Sequence, residues 1–132
     1  MAARRKTPEQ VLSSTKTSPR PLILEPGTQH YEWGDVKFIP RLLGRRNPLR
    51  RPYAELWVGA QPGLPSRTVV DGVELDLAQL LDAAREEILG SDVASRFGGL
   101  PYLLKILSAA RPLSIQAHPS KAQAKEGFAR ES

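Results

Sequence analysis

A mainly β chain with a helical insert, built as an antiparallel β-sandwich or jelly roll, is what this sequence predicts. Three observations carry that expectation. Apolar and polar residues alternate over 53–59 and again over 113–118, the two-residue period of a strand with one buried face. Asp71-Gly72 lies between two short runs rich in β-branched residues, a strong hairpin signal. Twelve prolines and ten glycines among 132 residues favour turns and short strands over a helical bundle.

Taken in order, 21–25 reads as a first strand with Pro26-Gly27 as its turn, and 30–33 as a second, stopped by Gly34-Asp35. Residues 36–43 continue the sheet before an Arg-rich loop at 44–52. The strand 53–59 places Tyr53, Glu55 and Trp57 on one face and Ala54, Leu56 and Val58 on the other. After a turn at 61–65, strands 66–70 and 73–75 flank Asp71-Gly72. Leu77, Leu80, Leu81, Ala84 and Ile88 then recur at helical spacing. Asp76 and Gln79 form a capping box at the start of that helix, and Gly90 stops it. A short helix follows over 92–97 after a Ser91 cap, ending at Gly98-Gly99. Strands 103–108 and 113–118 surround a turn at 109–112, and Ser120 caps a last helix that runs to Ser132.

Composition narrows the function. The apolar share of 40% and charged share of 25% fit one small globular domain. With no cysteine, any metal must be held by nitrogen and oxygen ligands. No apolar run approaches the roughly 18 residues of a membrane span, and Arg4, Arg5 and Lys6 precede no apolar stretch. The expectation is a cytoplasmic protein that binds no membrane. The net charge of +5 is mostly terminal: five basic residues against Glu9 give residues 1–20 a charge of +4, and 14 basic against 13 acidic residues leave 21–132 at +1. Residues 1–20 therefore read as a disordered basic extension. The Arg45-Arg46 and Arg50-Arg51 pairs lack interleaved aromatics and read as a loop, so no nucleic-acid partner is expected.

The richest stretch is Pro112-Leu113-Ser114-Ile115-Gln116-Ala117-His118-Pro119. On a strand, Ser114, Gln116 and His118 share one face, with Leu113, Ile115 and Ala117 on the other. A Gln oxygen beside a His nitrogen is half of a divalent-metal site. The same pattern also describes an ordinary amphipathic strand with its polar side in water. Glu55, with Tyr53 and Trp57 on its face, suggests a pocket or an exposed strand charge. Lys105, between Leu103 and Leu107, requires an anionic partner if it points inward, or else snorkels from an edge strand.

The line Leu100-Pro101-Tyr102-Leu103-Leu104-Lys105-Ile106-Leu107-Ser108 followed by Leu113 to Pro119 resembles the metal-binding segment of the type I phosphomannose isomerases. Tyr31-Glu32-Trp33-Gly34 and Ala54-Glu55-Leu56-Trp57-Val58-Gly59, the latter followed by Pro62 and Ser66, match the family in its own order. The resemblance covers residues 21–132. It implies a cupin-like jelly roll with an added helical domain, and a zinc-dependent aldose–ketose interconversion of mannose 6-phosphate and fructose 6-phosphate.

By resemblance Gln116 and His118 are the first two of four zinc ligands. Trp33, Glu55, Lys105 and Ser114 line the sugar-phosphate site, with Lys105 or Ser114 meeting the phosphate. The catalytic base is not fixed; Lys105 and Glu55 are candidates. Family members are much longer, and their remaining ligands are a Glu in a Tyr-x-Asp-x-Asn-His-Lys-Pro-Glu segment and a later His. That segment is absent here, so the expectation is a truncated form with an incomplete jelly roll and an incomplete site. Two other readings compete: a non-catalytic sugar-phosphate or metal-binding module, and a decayed fragment that hardly folds.

Overall fold

In a computed structural model that describes residues 7–15 and 21–131, the chain runs α1 (Pro8–Thr15), β1 (Gly27–Gln29), α2 (Phe38–Leu42), β2 (Glu55–Val58), β3 (Arg67–Val70), β4 (Val73–Asp76), α3 (Leu77–Leu89), α4 (Ser91–Phe97), β5 (Leu104–Leu107) and α5 (Lys121–Glu131). The result is a mixture of helices and two small sheets rather than the mainly β chain expected, because the strands are only three or four residues long. One sheet has the antiparallel order β1-β2-β5; the other is the β3–β4 hairpin. Among the described residues no helix is long and apolar enough to cross a membrane.

The hairpin forms as its sequence dictates. Asp71 and Gly72 both adopt positive φ, 51° and 78°, the turn geometry that matches the twist of the flanking strands. Alternation then buries Thr68 and Val70 while Arg67 and Val69 face out. Asp76 caps α3: its Oδ1 accepts from the Gln79 N–H at 2.9 Å, and Gln79 Oε1 accepts from the Asp76 N–H at 3.3 Å. The predicted stripe of Leu77, Leu80, Leu81 and Ala84 is buried, although the helix kinks at Ala84. Gly90 ends α3 and Gly98, left-handed at φ 68°, ends α4. Ser120 and Gln123 form a second capping box before α5.

Four expectations fail, each for a physical reason. Within 36–43, Phe38–Leu42 form α2 rather than a strand. Asp35 Oδ2 accepts from the N–H groups of Lys37 at 2.6 Å and Phe38 at 2.5 Å, and Pro40 sits in the first turn, where a missing donor costs nothing. Residues 21–25 contribute only one bridge, Glu25 with Arg67. The strand placed at 30–33 lies instead at Gly27–Gln29, and 32–33 is a turn. Residues 113–118 make no ladder at all; every residue from 111 to 120 is exposed. A strand needs a partner, and among the described residues none lies beside this segment.

The disordered basic extension is also corrected over the part that is described. Residues 8–15 form α1, and Val11 is fully buried with Val70, Leu75 and Leu80, flanked by Leu12, Leu22, Val73 and Ile88. Residues 1–6 and 16–20 lie outside the described residues. Burying one such aliphatic side chain stabilises by about 1.5–3 kcal/mol, so α1 belongs to the core.

Two local devices hold the β1-β2-β5 sheet in place. The buried Ser66 hydroxyl accepts from the Gly59 N–H at 3.0 Å and donates to the Trp57 carbonyl at 3.3 Å. Its carbonyl also accepts from the Leu77 N–H at 2.8 Å. Ser66 thereby ties the end of β2 to the start of α3. Gly34 runs so close to β2 that a Cβ there would lie 2.5 Å from the Ala54 nitrogen; a glycine is required.

The Asp35 cap gives the fold an acid dependence. The N–H groups of Phe38 and then Lys37 hold its carboxyl below the ordinary value of 3.8. A depressed carboxyl contributes stability that is present above its unfolded value and lost as pH falls through its folded value. Asp35→Asn keeps the acceptor and removes the titration. The variant should melt below the native chain at neutral pH, with the gap closing as pH falls below the ordinary value of 3.8; a gap that does not change with pH would contradict the cap.

Candidate functional site

The β1-β2-β5 sheet brings together two of the predicted residues. Glu55 and Trp57 are two apart on β2 and share a face. Lys105 on β5 lies directly across from Trp57 in the antiparallel register. Lys105 Nζ is 3.1 Å from Glu55 Oε2, and the Trp57 Nε1–H donates to the same oxygen at 2.5 Å. The ammonium also stands over the Trp57 ring, 4.5 Å from its centroid. Glu55 is buried, with 7% of its surface exposed. The lysine therefore has an anionic partner within the chain, a carboxylate on the neighbouring strand. A buried carboxylate that accepts from both an indole and an ammonium is fixed in place.

Tyr53, expected on the same face, is held elsewhere. Its ring meets the His30 ring edge-on at 4.5 Å, and His30 Nδ1 lies 2.5 Å from the Pro52 carbonyl. Trp33 is half-buried in the turn before Gly34. It stacks on Tyr31 at 5.7 Å, and its carbonyl accepts from the Ala110 N–H at 2.8 Å. That contact ties the Trp33 turn to the segment leading out of β5. Ser114, Gln116 and His118 lie on the exposed stretch that follows residues 109–112, with no ladder to fix their faces.

As a metal site the arrangement is partial. Among the described residues no group of three or more His, Cys, Asp or Glu could hold a metal ion. Gln116 and His118 offer one neutral oxygen and one neutral nitrogen, short of the four donors of a closed zinc centre. Sequence reasoning put Trp57 beside Glu55 but did not bring it to Lys105. Its place opposite Lys105 depends on the β2–β5 register, which is set across nearly fifty intervening positions and leaves no local signal.

The comparisons with known proteins agree on one family. The family profile described as phosphomannose isomerase type I, catalytic domain, matches residues 22–132. The chain is similar to the mannose-6-phosphate isomerase of Salmonella typhimurium, 45% identical over 104 residues, which cover 78% of this chain and 27% of the relative. It is 37% identical over 113 residues to the human mannose-6-phosphate isomerase, covering 79% and 27%. Among solved structures, the Salmonella typhimurium mannose 6-phosphate isomerase bound to substrate and zinc superposes with a TM-score of 0.75 at 43% identity, over 83% of this chain and 28% of that one. The chain thus spans about a quarter of the length of the curated relatives it matches.

Proposed function

The chain belongs to the type I phosphomannose isomerase family, and from that membership we propose that it serves the reversible, zinc-dependent aldose–ketose interconversion of mannose 6-phosphate and fructose 6-phosphate. The observation that carries this reading is the match over 22–132, which contains the packed Glu55–Trp57–Lys105 group. A cytoplasmic setting and a cupin-like jelly roll accompany it. Among the described residues β5 pairs only with β2, an open edge that further strands of such a roll would cover.

The roles follow from the side chains present. Lys105 meets the phosphate, with the Ser114 hydroxyl as a second donor, while Trp33 borders the sugar. Glu55 Oε2 already accepts from two donors, which suits an anchor for Lys105 better than a group that abstracts a proton. Gln116 and His118 are the zinc donors of this segment. Those two do not complete a zinc site within these 132 residues, so no step is assigned to the metal here. The same shortfall favours a second reading, a non-catalytic sugar-phosphate or metal-binding module.

The test is titration of the 132-residue chain with fructose 6-phosphate, followed by amide and side-chain resonances. Saturable shifts at Lys105 and Ser114, lost in Lys105→Ala, are expected. Shifts confined to α3 and the hairpin, or none, would contradict the assignment.

A further inference from the structure

We propose that Trp57 is a positioning residue, which holds the Lys105 ammonium where it meets a phosphate oxygen. The inference rests on the function proposed above and adds a residue outside its donor set. Directly opposed residues of an antiparallel pair have side chains within contact distance, and Trp57 opposes Lys105. A lysine is a point charge on a flexible stem, free to sample many rotamers. Here two features of one tryptophan remove that freedom. The ring face attracts the ammonium at 4.5 Å. The indole N–H holds Glu55 Oε2, the oxygen that Lys105 Nζ approaches at 3.1 Å. Trp57 therefore sets both the surface on which the cation rests and the anion that anchors it.

The anchored lysine is still open to a ligand. An ammonium has three N–H donors; Glu55 takes one and the ring faces the cation from another side. The Lys105 side chain keeps 37% exposure against 10% for Glu55, so the solvent-facing side is that of the cation. A second anion can reach it without breaking the Glu55 contact. A phosphate ester fits this arrangement, because its oxygens can accept from the N–H donors that Glu55 leaves unused and the mobile stem has already been ordered.

The 132-residue chain and its Trp57→Phe and Trp57→Leu variants provide the test, with fructose 6-phosphate and inorganic phosphate as probes. Dispersed methyl resonances of Val70 and Leu75 report the fold. In the free native chain the Lys105 ε-methylene protons should be displaced upfield by the indole ring current, and Trp57→Leu should return them to the ordinary lysine position. Trp57→Phe keeps a ring face and removes the N–H donor. It should bind both probes roughly tenfold more weakly, the loss of one hydrogen bond to a charged group. A merely structural clasp would leave phosphate affinity unchanged in that conservative variant, and if Trp57→Leu does not fold, Trp57→Phe decides alone. Lys105 signals at the ordinary position in the native chain, or unchanged affinity in Trp57→Phe, would overturn the proposal. If neither probe binds the native chain while Trp57→Leu still moves the Lys105 signals, the hold of Trp57 on Lys105 stands and the function it was attached to falls.

Discussion

Replacing Val11 with aspartate is expected to destabilise the chain by at least about 3 kcal/mol, because an ionisable group would enter an apolar cluster with no partner of opposite charge in it. Deleting residues 1–20 should cost about 2–4 kcal/mol, from the lost burial of Val11 and part of Leu12 and from the surface of Val70, Leu75 and Leu80 left uncovered. Urea unfolding at neutral pH measures both. Glu9→Gln, on the exposed side of the same helix, should change stability by no more than about 0.5 kcal/mol. A deletion as stable as the native chain would show that α1 is not part of the core. The point has weight because α1 precedes residues 22–132, the span that matches the family. A segment outside the family's pattern is predicted to be integral to this fold.

The signal for α1 was present in the sequence and was outweighed by charge. Thr7 and Gln10 form a capping box, with the Thr7 N–H donating to Gln10 Oε1 at 3.0 Å and the Gln10 N–H to Thr7 Oγ1 at 3.4 Å. Pro8 stands at the first helical position, where its fixed φ suits a helix start. The same local grammar made the Asp71-Gly72 turn and the Asp76–Gln79 cap of α3 legible. Asp35 and Pro40 carried it for α2, but the apolar run around them has the composition of a strand.

What the sequence could not show is pairing. The alternation over 113–118 is real, yet a strand is completed by its neighbour, and the segment stands exposed. For the site, the shared face of Glu55 and Trp57 follows from their spacing on one strand. The arrival of Lys105 against Trp57 follows from register, which is set by distant packing. Glu55 consequently emerges as the anion that Lys105 requires, a role that the family resemblance gave to a substrate phosphate.

If Gln116 and His118 are, as proposed, two of four zinc donors, the 132-residue chain by itself should not isomerise a sugar phosphate. The most direct measurement is coupled conversion of mannose 6-phosphate to fructose 6-phosphate by the purified 132-residue chain with added zinc, alongside His118→Ala. Losing one member of a cooperative catalytic group lowers the rate by roughly three or more orders of magnitude, and the proposed pair supplies only two of four donors. Turnover indistinguishable from background is expected in both proteins, with zinc held only weakly by the native chain. Clear turnover that His118→Ala abolishes would contradict that expectation, and would mean that the remaining donors come from a second copy of the chain.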